Sequence, residues 1–436
     1  MGSCLAEWTE YNGFEAMRLA NDLVTLWAVP GIGGRILQAE CDGHGYLWVN
    51  RALRGPLQPS DDGALDFNAW LNYGGEKIWP APQGPDDGEH WQGPPDPALD
   101  GARYRGQIVS SGPGEVRAHM ESPRGNDKWG IQFSRQIVLR PDETRVSIRT
   151  TMRNIVERPV RWSIWQVAQL DAAGPEAPGY NAELVGYALS RRRSGTRGGY
   201  RALFGDPGNP AWSADNASRL VSARFNYQVG KLGIDSEAGW AVTVDGRARK
   251  ALAQVFTGFP GAEYPDHGSS VAFWVNGAGS FEFLGNTVDC VRDVGKTPPF
   301  LEAEVLSPLV TLNPGDEFSF DILWGMGEAT GVPAAATGAG LVTDLAASRN
   351  AAGQVRCQAQ VTPFVTGRCA ARALDRSGGE VARSDLGTVA AGRCHRVDAA
   401  WLAPEAQSIE LTLSPNSGDE TVLLVRCHLQ GVCGSY

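Results

Sequence analysis

The chain has 436 residues, 54 of them Gly and 27 Pro, so the two residues that helix interiors tolerate worst make up roughly a fifth of it against a usual ~12%. This argues against a helical bundle or a doubly wound α/β protein: the longest Gly/Pro-free stretch, Ala211 to Val229, is broken up by Ser, Asp and Asn. With 39 Lys+Arg against 49 Asp+Glu, net charge -10, the basic footprint of a nucleic-acid binder is missing, and no apolar run approaches the ~18 residues of a membrane helix.

In chain order, the opening Met1 to Trp8 has neither a positive n-region nor an apolar h-region, so no export signal is expected there. The compartment stays open: periplasmic or secreted if a leader has been removed, cytoplasmic otherwise. Alternating segments bounded by Gly, Pro and Asp then predict strands at Leu23–Val29, Ile131–Leu139, Arg145–Thr151, Arg161–Val167, Ser270–Val275 and Phe300–Leu306. Arg140-Pro-Asp-Glu143 and Asn313-Pro-Gly-Asp-Glu317 supply turn chemistry for two hairpins. Strand after strand over about 320 residues with no βαβ rhythm indicates a large antiparallel sandwich. The small-residue stretch 325–340 reads as a Gly/Ala-rich linker between a unit at 5–324 and a small accessory β-sandwich at 341–436. That tail is expected to serve packing or dimerisation. It holds five of the eight cysteines; without C-x-x-C spacing, buried thiols or a bridge are expected rather than a zinc site.

Three constellations could carry chemistry. The densest runs from Asn68 to Gly84 and on from His90 to Gly101, where Trp70, Tyr73, Trp79 and Trp91 stand among Asn72, Glu76, Lys77, Gln83, Asp96 and Asp100. Flat apolar rings beside fixed donors and acceptors suit a sugar, whose C–H face stacks while its hydroxyls are paired; the same composition would serve a loop that covers a sheet with tryptophans. The second is Glu302 and Glu304, two apart on a strand and hence on one face, where neighbouring carboxyls can have their pKa values driven apart. The third is Trp162-Ser-Ile-Trp-Gln166, with Gln166 and Trp165 on opposite faces. His267 and His90 fall in loops near these aromatics. No H-E-x-x-H or G-x-S-x-G motif occurs, and no metal or other cofactor is expected.

The segment Asn21-Asp-Leu-Val-Thr-Leu-Trp-Ala-Val-Pro-Gly-Ile-Gly-Gly-Arg-Ile-Leu37 resembles the opening of galactose mutarotase-like (aldose 1-epimerase superfamily) proteins. Leu71-Asn-Tyr-Gly-Gly-Glu-Lys-Ile-Trp-Pro-Ala-Pro-Gln83, with Pro94-Pro-Asp-Pro-Ala-Leu-Asp100, is similar more narrowly to an uncharacterised bacterial branch, the DUF4380 proteins. The similarity spans about residues 8 to 328. It implies a β-supersandwich with a sugar on its concave sheet face, a Glu on a late strand as base and a His on an earlier strand as acid. Phe300-Leu-Glu-Ala matches the Glu strand, which makes Glu302 the base. The earlier strand corresponds to Trp162–Val167, which has no His; Lys77 or His267 would have to act as acid or electrostatic partner. Arg35, Asn72, Tyr73, Trp79, Gln83, Trp91, Trp165 and Gln166 are the residues expected to bind substrate.

Three readings follow. One is an epimerase-like enzyme acting at the anomeric centre of a mono- or oligosaccharide. Another is a polysaccharide lyase or hydrolase, for which an inverting mechanism needs Glu76 and Glu302 to face each other at about 6.5–9.5 Å. The third is a non-catalytic carbohydrate-binding protein. The expected partner is a mono- or oligosaccharide, with neither nucleic acid nor a membrane expected.

Overall fold

The structure, a computed structural model, describes residues 3–55, 71–85, 87–94, 96, 98–124, 128–175, 179–191 and 199–429. Trp70 and Asn68 lie outside the described residues.

Almost every described element is an antiparallel strand, as expected from the Gly/Pro-rich composition, and two large sheets of twelve and ten strands pack face to face as a supersandwich. Eight strands matter for the site: β1 (Arg35–Cys41), β2 (Glu76–Ala81), β3 (Ile131–Leu139), β4 (Val160–Asp171), β5 (Gly230–Ile234), β6 (Val271–Asn276), β7 (Phe300–Leu306) and β8 (Glu317–Glu328). In the twelve-stranded sheet the neighbours run β1-β2-β4-β7-β6-β5, while β3 and β8 belong to the ten-stranded sheet. Alternation along β3 sends Ile131, Phe133 and Ile137 into the core between the sheets. Phe273 from β6, Leu301 from β7 and Ile164 from β4 join that core from the other side. β4 departs from simple alternation: from Trp162 to Leu170 every residue is buried, so the sheet is covered on its outer face as well.

Two connections differ from the sequence expectation. The 139–145 turn does close a hairpin, pairing Leu139 with Val146. The Asn313–Asp316 turn instead carries the chain across the sandwich, because Val310–Leu312 pairs with β4 whereas β8 lies in the ten-stranded sheet. The segment 325–340 is not a linker. Gly325 to Glu328 complete β8, and Pro333–Thr337 pairs with Gly340–Arg349. Its small residues serve close packing: a Cβ on Gly325 would lie 2.2 Å from the Phe364 ring, and one on Gly327 2.8 Å from the Gly392 backbone.

The C-terminal part forms two four-stranded sheets around Val355, Cys357, Val397, Ala371 and Leu411. Its Phe364, Ala336 and Leu341 pack with Trp240, Val242 and Ala253 of the ten-stranded sheet. Cys357, Cys369 and Cys394 are free thiols. No helix among the described residues is long and apolar enough to cross a membrane.

Candidate functional site

Registers fix which side chains share a face. Gln169 of β4 is opposite Glu302 of β7, which is opposite Trp274 of β6, which is opposite Lys231 of β5. The next row holds Lys77 of β2, Val167, Glu304 and Ala272. Odd-numbered positions of β2 and even-numbered positions of β7 therefore project from the outer face, away from the ten-stranded sheet, and bring Lys77, Trp79, Trp165, Glu302 and Glu304 together.

The two carboxylates are held differently. Glu302 Oε1 accepts from Gln169 Nε2 at 2.8 Å and from Lys77 Nζ at 3.3 Å. Its Oε2 receives no hydrogen bond from a described residue, and the residue is 8% exposed. Glu304 is fully buried; its Oε2 accepts from Trp165 Nε1 at 2.7 Å and lies 2.8 Å from Lys231 Nζ. Each lysine also sits over an indole, Lys77 4.4 Å from the Trp79 centroid and Lys231 4.4 Å from that of Trp165.

Burial dominates the electrostatics. It pushes the Glu304 carboxyl well above the usual carboxylate range, which the Lys231 charge only partly offsets. Burial likewise lowers Lys77 against the pull of Glu302. For Lys231 burial acts in the same direction but loses to the Glu304 and Asp266 carboxylates, which hold the ammonium above its ordinary value. The outer face thus holds one slightly exposed carboxylate, Glu302, beside a lysine that gives up its proton more easily than usual, and in the adjacent row the buried Lys231–Glu304 pair. Among the described residues there is no group of three or more His, Cys, Asp or Glu side chains placed to hold a metal ion.

Several expected site residues are elsewhere. Glu76 points into the core between the sheets, where Arg135 of β3 donates to both of its oxygens at 2.6 Å. It cannot face Glu302, which leaves the other side of the sheet, so the proposed hydrolase pair does not form. Gln166 projects to that same core, its amide atoms without hydrogen-bond partners. Arg35 is fully buried and ties the 98–100 turn to the sheet, through Asp100 at 2.8 Å and the Gly74 carbonyl at 3.3 Å. Tyr73 packs with Phe14, Val29 and Leu37, and Asn72 Oδ1 accepts the Gly74 N–H.

The tryptophans are not open platforms. Trp79, Trp91 and Trp165 are buried, and Trp79 packs against the other two with centroids 5.2 and 5.1 Å apart. Their N–H groups go to Asp100, Asp96 and Glu304. The indole nearest Glu302 in register is the half-buried Trp274.

Gln83 and the exposed His267 line a cleft of about 640 Å³, next to Lys231 through Asp266, whose Oδ2 lies 4.0 Å from the lysine Nζ. Lys231, Gln169, Trp274 and Asp266 were not foreseen from sequence. The one available signal was a Lys in the otherwise apolar Gly230-Lys-Leu-Gly-Ile234 strand.

No family model and no curated protein matches the sequence. Among solved structures, the chain is similar to Slr1438 protein from Synechocystis sp. PCC 6803 (11% identity, 73% of this chain and 98% of that chain, TM-score 0.44). It is also similar to galactose mutarotase-like proteins from Lactobacillus casei ATCC 334 (11%, 71% and 99%, TM-score 0.42) and Clostridium acetobutylicum (11%, 75% and 99%, TM-score 0.43). At these identities the likeness assigns neither a substrate nor a catalytic residue.

Proposed function

We propose that the protein binds a sugar over the outer face of the twelve-stranded sheet and that Glu302 takes the proton of its anomeric hydroxyl. The observation that carries this reading is the asymmetry of Glu302: Oε1 is pinned by Gln169 and Lys77 while Oε2 has no partner among the described residues. A carboxylate fixed through one oxygen offers the other as an oriented base. Lys77 takes the acid role for which the 162–167 strand has no His, since burial makes its ammonium a better donor than a free lysine. In the proposed cycle the anomeric O–H proton passes to Glu302 and a Lys77 proton to the ring oxygen as the C1–ring oxygen bond breaks. Rotation about the C1–C2 bond of the open aldehyde and the reverse transfers close the other anomer and return both protons.

Anomer exchange measured by NMR on a panel of free aldoses tests it. Glu302→Gln should slow exchange by about 10²–10⁴-fold, the usual worth of a general base, with the fold unchanged by circular dichroism. Equal rates in wild type and variant would overturn the assignment.

A further inference from the structure

Lysine is scarce in this chain, which has 34 Arg against five Lys, at positions 77, 128, 231, 250 and 296. Elsewhere, where a cation is fully buried against a carboxylate, arginine is used: Arg135 with Glu76 and Arg35 with Asp100. That is the ordinary preference for a buried ion pair, because a guanidinium keeps its charge and forks onto a carboxylate. The buried Lys77 and Lys231 depart from it, and they stand together on the outer face against Glu302 and Glu304. What a lysine offers there, and an arginine does not, is a nitrogen that can lose its proton and attack carbon.

Their surroundings separate the two. Lys231 lies between Glu304 at 2.8 Å and Asp266 at 4.0 Å, whose charges keep its proton on. Lys77 pairs with Glu302 at 3.3 Å, and there burial outweighs the carboxylate and favours the neutral amine. The Lys77 Nζ also lies 4.4 Å from the Trp79 centroid. An iminium carries the same single positive charge as the ammonium it replaces, so the carboxylate and indole face that hold one also hold the other. The more open member of the pair is Glu302, its side chain 10% exposed against 2% for Lys77, so the nitrogen suits a small carbonyl head.

We propose that Lys77 captures short aldehydes as an imine, a covalent activity distinct from proton transfer at an anomeric hydroxyl. Lys77 passes a proton to Glu302, its neutral nitrogen bonds to the carbonyl carbon, and the carbon–oxygen bond then breaks as the oxygen leaves as water. That water carries off two of the three ammonium protons, relayed by Glu302, and the nitrogen keeps the third in the iminium. Nothing is oxidised or reduced, and water reverses the step. The inference rests on the Glu302 reading only in placing the ligand on the outer face.

Glycolaldehyde is the probe, because it is small and its monomer has no anomeric centre. Sodium cyanoborohydride reduces any iminium to a stable secondary amine, and peptide mapping by mass spectrometry gives the labelling rate of each lysine in the full chain. Lys77 should be labelled faster than the exposed Lys296 by about tenfold or more, since a carbonyl held beside the amine replaces a chance encounter. Lys231 should be labelled more slowly than Lys77, and unfolding in urea should abolish the preference. The proposal is overturned if Lys77 is labelled no faster than Lys296, if Lys231 reacts as fast as Lys77, or if the preference survives in urea. Absence of anomer exchange on aldoses would sink the Glu302 reading without touching the Lys77 label, and an unlabelled Lys77 would sink this one without touching exchange.

Discussion

Lys77 lies in the same cross-strand row as Glu304 but pairs with Glu302, and Lys231 lies in the row of Glu302 but pairs with Glu304. The crossing is possible because the positions flanking Glu304 in its row are Val167 and Ala272, too short to block a lysine reaching diagonally. It leaves Glu304 with its second oxygen buried and unpartnered, a costly arrangement for a full charge. A carboxyl whose folded pKa is raised holds its proton more tightly when folded than when unfolded. Its stabilising contribution is therefore complete below about 4.5 and is lost as pH rises through about 7. Urea unfolding of wild type and Glu304→Gln across that window should show wild type losing stability relative to the variant as pH increases; a constant difference would mean that the carboxyl titrates normally. Glu76 and Arg135 respond differently, since both are fully buried and, among the described residues, are bonded to each other and to backbone groups such as the Gly34 carbonyl. Glu76→Ala leaves an uncompensated guanidinium in the core and should cost about 3–5 kcal/mol in the same measurement. At this scale the two-residue period of a strand was enough to place Glu302 with Glu304, and Trp165 opposite Gln166. It could not separate the two sides of β2, because without knowing which neighbour strand covers which face, Glu76 and Lys77 look equally suited to a cleft. Lys231 escaped notice for a related reason: its partner is 73 positions away in sequence, and nothing local marks the pairing.

At the scale of elements, the entry into β2 is the constrained point. Gly74 and Gly75 both have positive φ, +88° and +76°, and a Cβ on Gly75 would fall 2.6 Å from the Ile36 carbonyl oxygen. This lets the chain pass tightly beside β1, where Ile36 pairs with Glu76, before alternation sends Lys77 and Trp79 to the outer face. Gly75→Ala should therefore destabilise the protein by more than the ~1 kcal/mol typical of an exposed Gly-to-Ala change at an incompatible φ, and should also disturb Lys77. Thermal unfolding checks the first effect and loss of anomer exchange the second. The sequence showed the Gly-Gly pair and the aromatic-rich segment after it, and the strand ends Ile131, Leu139, Phe300 and Leu306 agree with the structure. The use made of the tryptophans was not legible. A Trp whose N–H meets a buried carboxylate and a Trp that offers its face to a ligand have the same local composition, and only the positions of Asp96 and Asp100 decide between them.

Across the whole molecule, the C-terminal sandwich is joined to the ten-stranded sheet by packing rather than by a flexible tether. Phe364 is the central piece: its ring lies against the bare backbone of Gly325 and within the cluster of Trp240, Val242, Ala253 and Leu341. Its backbone N–H donates to the Ala339 carbonyl and its carbonyl accepts from Thr144 N–H, both at 2.8 Å. The ion pairs at the same junction, Arg393 with Asp42 and Glu328 and Lys250 with Asp42, are largely exposed and contribute little each. The small residues read from sequence as a linker are what permits this contact, since any side chain at 325 would occupy the volume of the ring. Phe364→Ala should cost about 3–5 kcal/mol, the range for removing a buried aromatic from a packed core. Because that loss is concentrated at the junction, the variant should release a C-terminal fragment in limited proteolysis before the large sandwich is cut, whereas wild type should be cleaved in both parts together. Leu402→Ala, at a side chain 78% exposed, should stay within about 0.5 kcal/mol of wild type. If Phe364→Ala unfolds in one transition with an unchanged cleavage pattern, the two parts are coupled through other contacts and the ring is not what holds them together.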